Sequence, residues 1–294
     1  MTAEQRPSAR GGHPAGVQQP RTVRTADGES VAYATYGDPE GTPVVVLHGT
    51  PGSRLLGELF DEAAEQRGLR VLAPDRPGYG QSTAAPVEPT ETHRYVEPLL
   101  AEADASDAGI VGFSGGAAHV LGLAATRPGL VTSVDVVAGA VPPAVGSDPP
   151  ASVRVAGALA GRAPRLLGGL VRAGTRLAAL GPADAAASQY TTDGTDDLDD
   201  ETVALVGRDF REALARTEGF VAESRLAVDG WGFDLGDVER PVRLFHGDRD
   251  ANVPAEGARR SAERLPDAQL TALDGADHLR TLLRARSAVL DAHA

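Results

Sequence analysis

The chain has 294 residues, with 28 Lys+Arg against 41 Asp+Glu and a net charge of −13 at pH 7. That length suits one large α/β domain or two small ones, and the charge argues against a nucleic-acid partner and against anchoring on an anionic membrane. Cysteine is absent and every positive residue is Arg, which excludes disulfides, thiol catalysis, Cys-ligated metals, a Lys Schiff base and a P-loop lysine.

Residues Met1–Pro20 are polar, rich in Gly, Pro and Gln, and lack an apolar h-region. They read as a disordered leader (1–20) rather than a secretory signal. No stretch approaches the roughly 20 apolar residues that span a bilayer, so a cytoplasmic protein without a membrane partner is expected. Arg21–Arg24 and Val31–Tyr36 are short β-prone runs separated by an Asp27-Gly28 turn, a hairpin signal. Pro43–Leu47 is a continuous apolar run, as in a strand buried on both faces. It ends in His48-Gly49-Thr50-Pro51-Gly52-Ser53, and a helix is expected from Ser53 to Arg67.

Leu69–Ala73 is the next expected strand, then a helix over Thr92–Ala103 and a strand over Ala108–Phe113. A helix over Ala117–Thr126 and a strand over Val131–Ala138 follow. From Val141 to Asp237 buried-strand runs stop. Ser152–Arg162, Arg165–Leu180 and Glu201–Leu226 show helical periodicity, broken by Pro164 and Pro182. Strands resume at Pro241–His246 and Gln269–Leu273, with helices over Ala255–Arg264 and Leu279–His293. Alternating strands and helices mean a mostly parallel sheet flanked by helices. The expected division is a core over 21–140 and 238–294, with an inserted all-helical block over 141–237.

The strongest chemical signal is Gly112-Phe113-Ser114-Gly115-Gly116, a G-x-S-x-G pattern after a buried strand and before a helix. A serine on such a turn is held in strained backbone, so its neighbours must be small, and Oγ projects over the carboxyl edge of the sheet. A serine nucleophile needs a base, and the base an orienting acid. Of the seven His, His13 lies in the leader and His293 at the end of the chain. His48 and His246 end strands, His93 sits on a loop or at a helix start, and His119 is expected to point away from Ser114. His278 follows the last strand and is the candidate base. The loop after Pro241–His246 offers Asp248 and Asp250 as acids. Asp250 is the candidate and Asp248 a turn-stabilising residue. The oxyanion needs backbone N–H donors, taken here as Thr50 and Gly115. Pro51 has no N–H.

These motifs, with Asp75-Arg76-Pro77-Gly78-Tyr79-Gly80-Gln81-Ser82 and Asp277-His278, resemble the α/β-hydrolase fold superfamily, in particular its bacterial members with a helical cap. They run in order from about residue 22 to the end. The resemblance implies Ser114 as nucleophile, Asp250 as acid and His278 as base, an oxyanion hole from Thr50 and Gly115, and a cap inserted after the sixth strand. It implies that His48 is structural and that Trp231-Gly232-Phe233-Asp234 leads out of the cap. Ser at the elbow departs from epoxide hydrolases and haloalkane dehalogenases, which carry Asp there. Thr50 and the Gly112-Phe113-Ser114-Gly115 elbow depart from the usual proline iminopeptidase pattern, so peptidase action is not expected.

The acidic run Asp193, Asp196, Asp197, Asp199, Asp200 and Glu201 does not match a calcium loop. It reads as a solvated loop that N-caps the next helix. Trp231, the only Trp, reads as a core anchor. The expected function is hydrolysis of an ester, lactone or thioester of an apolar acyl compound, with no metal and no cofactor. The alternatives are other chemistry on the same fold (natural-product cyclisation, acyl transfer, carbon–carbon bond hydrolysis) and a non-catalytic ligand receptor. The specific substrate and the oligomeric state are not specified by the sequence.

Overall fold

A computed structural model describes residues 19–146, 151–178 and 184–294. All but the last two residues of the expected leader lie outside it. Eight strands form one sheet: β1 (Arg21–Arg24), β2 (Ser30–Gly37), β3 (Thr42–Leu47), β4 (Leu69–Pro74), β5 (Ala108–Phe113), β6 (Val131–Val137), β7 (Val242–Gly247) and β8 (Ala268–Leu273). Their order is β1-β2-β4-β3-β5-β6-β7-β8. The β1–β2 and β2–β4 pairings are antiparallel and the other five parallel. Every expected strand lies within one residue of these bounds.

The continuous apolar runs are explained by burial on both faces. Along β3, Val44 and Val46 enter one core cluster, while Val45 and Leu47 enter the other, as the two-residue period of a strand requires. Each side chain so buried contributes about 1.5–3 kcal/mol. One cluster packs under α2 (His93–Glu102) and α3 (Gly116–Thr126). The other packs under α1 (Asp61–Glu65) and α10 (His278–Asp291).

The single helix expected over Ser53–Arg67 is instead a 3₁₀ segment, Arg54–Phe60, running into the short α1. The cause is local: Ser53 Oγ accepts from Leu55 N, and the Arg54 N–H is turned to Asp75 at 2.7 Å.

Between β6 and β7 the described residues form helices: α4 (Ala151–Arg162), α5 (Pro164–Ala178), α6 (Asp200–Ala213), α7 (Glu218–Glu223) and α8 (Leu226–Asp229), with short turns of 3₁₀ helix. Pro164 does not merely break the chain; it opens α5, where its missing N–H costs nothing. The helix expected over Glu201–Leu226 is three pieces. It breaks between α6 and α7, over residues 214–217, and just inside α7 Gly219 N donates to Gly78 O at 2.9 Å with no room for a Cβ beside the Tyr79 ring. The last helical pair is α9 (Ala255–Arg264) and α10. Trp231, 4% exposed, sits in the core against Phe233.

Candidate active site

Parallel pairing puts the C-terminal ends of β3, β5, β7 and β8 on one edge of the sheet, so the loops that follow them meet. After β5 the chain turns into α3 through Ser114, held at φ +50°. That left-handed backbone is strained for a residue with a Cβ. It survives because the flanking glycines let chains close in. A Cβ on Gly112 would meet Val120 at 2.7 Å, and one on Gly116 would meet the Leu47 carbonyl at 2.5 Å.

Ser114 Oγ lies 2.9 Å from His278 Nε2, and His278 Nδ1 lies 2.7 Å from Asp250 Oδ2. The carboxylate can only accept, so Nδ1 carries the proton and Nε2 is free to accept from the serine. Asp250 is itself fixed: its Oδ1 accepts from Asn252 N and Val253 N, each at 2.9 Å. The imidazole is held between the Phe113 and Tyr190 rings, at centroid distances of 5.0 and 5.9 Å. Asp248 is elsewhere. Its carboxylate accepts from Gly275 N at 2.7 Å and braces the β8 turn.

The loop after β3 lies against the elbow. A Cβ on Gly115 would collide with the Thr50 hydroxyl and sit 3.1 Å from Thr50 N. Among the described residues neither Thr50 N–H nor Gly115 N–H has a hydrogen-bond partner. Two unpaired donors beside Ser114 Oγ can receive a developing oxyanion.

None of the remaining described His hydrogen-bonds Ser114, and His93, the first residue of α2, has a buried Nδ1 with no hydrogen-bond partner among the described residues. His48 Nδ1 is 2.8 Å from Gly49 O, and its Nε2 accepts from Arg76 N at 3.0 Å. Burial and the Arg76 charge push it well below the ordinary His range, so the ring is neutral. His119 bonds Thr92 and Glu223 at 3.1 Å each, His246 the Val253 carbonyl, and His293 Asp135.

A cavity of about 10 Å³ adjoins the site, lined by Gly49, Pro51, Leu56, Phe113, Tyr190 and Leu279 and closed by Val206 and Asp209 of α6. That is room for about one water. A larger, open cleft of about 520 Å³ lies at Gly80, Gln81 and Arg216 and touches none of Ser114, Asp250 and His278. Size does not mark the chemistry here.

The helical block grips the body through three carboxylates that the sequence did not single out. Asp209 accepts from Ser53 N at 2.9 Å and Ser53 Oγ at 2.7 Å. Burial pushes its carboxyl up to about 7, against the pull of those bonds. Glu212 pairs with Arg54 at 2.6 Å, and Arg54 also pairs with Asp75 at 2.8 Å. Glu223, at the end of α7, pairs with Arg76 and accepts from the hydroxyls of Thr50 and of Tyr79, the latter at 2.8 Å.

The acidic run is solvated and structural. Asp199 caps α6 by accepting from Thr202 N at 2.7 Å, Asp193 pairs with Arg249, and Asp197 pairs with Arg280. Among the described residues no group of three or more His, Cys, Asp or Glu could hold a metal ion.

Residues 42–283 match the family model described as alpha/beta hydrolase fold. Among curated proteins, the chain is 37% identical over 125 residues to a probable proline iminopeptidase of Streptomyces coelicolor, a match covering 37% of this chain and 36% of that protein. It is 31% identical over 242 residues to a pimeloyl-[acyl-carrier protein] methyl ester esterase of Chromobacterium violaceum, covering 81% and 88%. Similar solved structures include an esterase of Thermogutta terrifontis (TM-score 0.69, 18% identity, 93% and 96% covered). The enol-lactonase of Burkholderia xenovorans LB400 is another (TM-score 0.67, 21% identity, 92% and 98% covered). With the model match spanning most of the chain and the elbow, sheet order and helical insertion on the page, the chain belongs to the alpha/beta hydrolase family.

Proposed function

We propose that this protein is a serine hydrolase that cleaves an ester, lactone or thioester through an acyl-enzyme on Ser114. The observation that carries the reading is the line Ser114 Oγ, His278 Nε2, Nδ1 and Asp250 Oδ2, at 2.9 and 2.7 Å, beside two unpaired N–H groups. Relatives named as an ester esterase and an enol-lactonase support the substrate class.

His278 Nε2 takes the Ser114 proton as Oγ attacks the carbonyl carbon. The N–H groups of Thr50 and Gly115 receive the oxyanion, and Asp250 holds the imidazolium in its tautomer. As the tetrahedral species collapses, His278 gives the proton to the leaving alcohol or thiol. Water then enters, His278 takes its proton, hydroxide attacks the acyl carbon, and the proton returns to Ser114. No step calls for a metal or cofactor. The block over 141–237 acts as a cap whose Tyr190 and Val206 cover an apolar acyl compound, and the protein works in the cytoplasm. Among the described residues no helix is long and apolar enough to cross a membrane.

A panel of p-nitrophenyl esters, lactones and acyl thioesters tests the reading. Wild type turns over at least one class, and Ser114→Ala loses about 10⁴-fold or more in kcat. Undiminished turnover by Ser114→Ala contradicts it.

A further inference from the structure

The Gly49–Thr50 peptide is gripped from both ends. On its carbonyl side, Gly49 O accepts from Arg76 Nη2 at 2.9 Å and meets His48 Nδ1 at 2.8 Å. On its nitrogen side, the Thr50 hydroxyl donates to Glu223 and is also within 3.3 Å of Arg76 Nη2. A trans peptide is planar, so fixing the carbonyl fixes the opposite N–H. The N–H in question is the one assigned above to the oxyanion.

Both grips lead to one residue. The Arg76 side chain is 1% exposed, and Glu223 is its only carboxylate partner among the described residues. Asp75, its chain neighbour, is committed to Arg54, Gln81 and the Arg54 backbone. The Glu223 side chain is 8% exposed and is surrounded by Arg76, Tyr79, Thr50 and His119, all from the body of the protein. A buried guanidinium without its counter-charge is costly, so Arg76 holds its place only while Glu223 is present. Glu223 rides on α7, in the helical block, while everything it holds belongs to the sheet and its loops.

We propose that Glu223 is a positioning residue for the oxyanion hole: by holding Arg76 and the Thr50 hydroxyl, it fixes the Gly49–Thr50 peptide so that the Thr50 N–H is aimed only when the cap is seated. This rests on the hydrolase reading above. A seated cap therefore does two things at once, closing the site and completing the oxyanion hole. An opened cap leaves the triad line intact but the oxyanion donor unaimed, which withholds catalysis from a site open to water.

The test compares wild type, Glu223→Gln and Glu212→Gln on p-nitrophenyl acetate. Each protein is also titrated with trifluoroacetophenone, whose hemiketal oxygen on Ser114 occupies the oxyanion position. Glu212→Gln removes a different cap-to-body tie, to Arg54 and Gln81, that does not touch the Gly49–Thr50 peptide. Glu223→Gln is expected to lower kcat about 10- to 100-fold, below the cost of losing a donor outright. KM stays within about threefold, and inhibitor affinity falls in parallel with kcat. Glu212→Gln keeps kcat within about twofold.

Unchanged kcat in Glu223→Gln overturns the proposal, as does a lower kcat with unchanged inhibitor affinity, or an equal loss in Glu212→Gln. If Glu223→Gln does not fold, Thr50→Val keeps the N–H and removes the hydroxyl that Glu223 holds. It is expected to lose about fivefold in kcat, and no loss overturns the proposal. A wild type that neither turns over nor reacts with a fluorophosphonate removes the hydrolase reading itself, a result distinct from all of these.

Discussion

Two seams join the helical block to the body within one loop of the sheet edge, and their chemistry is opposite. At one, Glu223 meets Arg76, with Thr50, Tyr79 and His119 completing its shell. At the other, Asp209 meets neutral donors, the N–H and hydroxyl of Ser53 among them, with the Asp75 carboxylate as a charged neighbour. Both carboxyls are buried, and burial alone favours the neutral form. At Asp209 it wins, and the carboxyl is pushed up to about 7. At Glu223 the guanidinium and the His119 and Thr50 hydrogen bonds outweigh it, and the group is held far below the ordinary range. One placed guanidinium thus separates a seam that is ionised throughout the neutral range from one that titrates within it.

The largest effect is expected from breaking the first seam. Arg76→Leu leaves Glu223 buried without its counter-charge and should cost about 3–5 kcal/mol of stability by denaturant unfolding. The double variant Arg76→Leu with Glu223→Leu should recover much of that, because the cost lies in the orphaned charge. A single variant as stable as wild type breaks the comparison.

The second seam gives a signed pH effect. Asp209 binds its proton more tightly folded than unfolded, so between 3.8 and about 7 the folded state holds more protons, and stability falls as pH rises. Asp209→Asn keeps an acceptor for Ser53 and removes that term. It should stabilise the protein above pH 7, by about 1–3 kcal/mol, and be neutral well below 3.8. The Glu223 contribution runs the other way, being lost as pH falls below 4.5. Melting curves across pH distinguish the two, and a variant that destabilises above pH 7 contradicts the Asp209 account. The smallest effect belongs to Glu212, whose side chain is 23% exposed and whose partner Arg54 keeps Asp75. Glu212→Gln should change stability by less than about 1 kcal/mol.

The body was legible in the sequence because its signals are local. Val44 to Leu47 and Ala108 to Phe113 are unbroken apolar runs, and only a sheet covered on both faces buries such runs. The Gly–Phe–Ser–Gly–Gly turn, Asp250 and His278 each follow a strand end, so their meeting follows from strand order. The seams were not legible. Glu223 lies 147 residues from Arg76 and 173 from Thr50 in sequence, and nothing in an amphipathic helical stretch marks one of its carboxylates as a partner for the body. The break between Ala213 and Glu218 was missed for the same reason: Gly78 and Tyr79, against which the start of α7 packs, are far away in sequence. One hint was available in Arg76, a charge two residues past the end of β4, a strand expected to be buried, which needs a counter-ion from elsewhere.

The central claim is that Ser114 is an activated nucleophile. Intact-mass measurement after treatment with a fluorophosphonate, on wild type and Ser114→Ala, tests it most directly. The account predicts one covalent adduct per wild-type chain, mapped to Ser114, and none on the variant. An unlabelled wild type, or equal labelling of the variant, would contradict it.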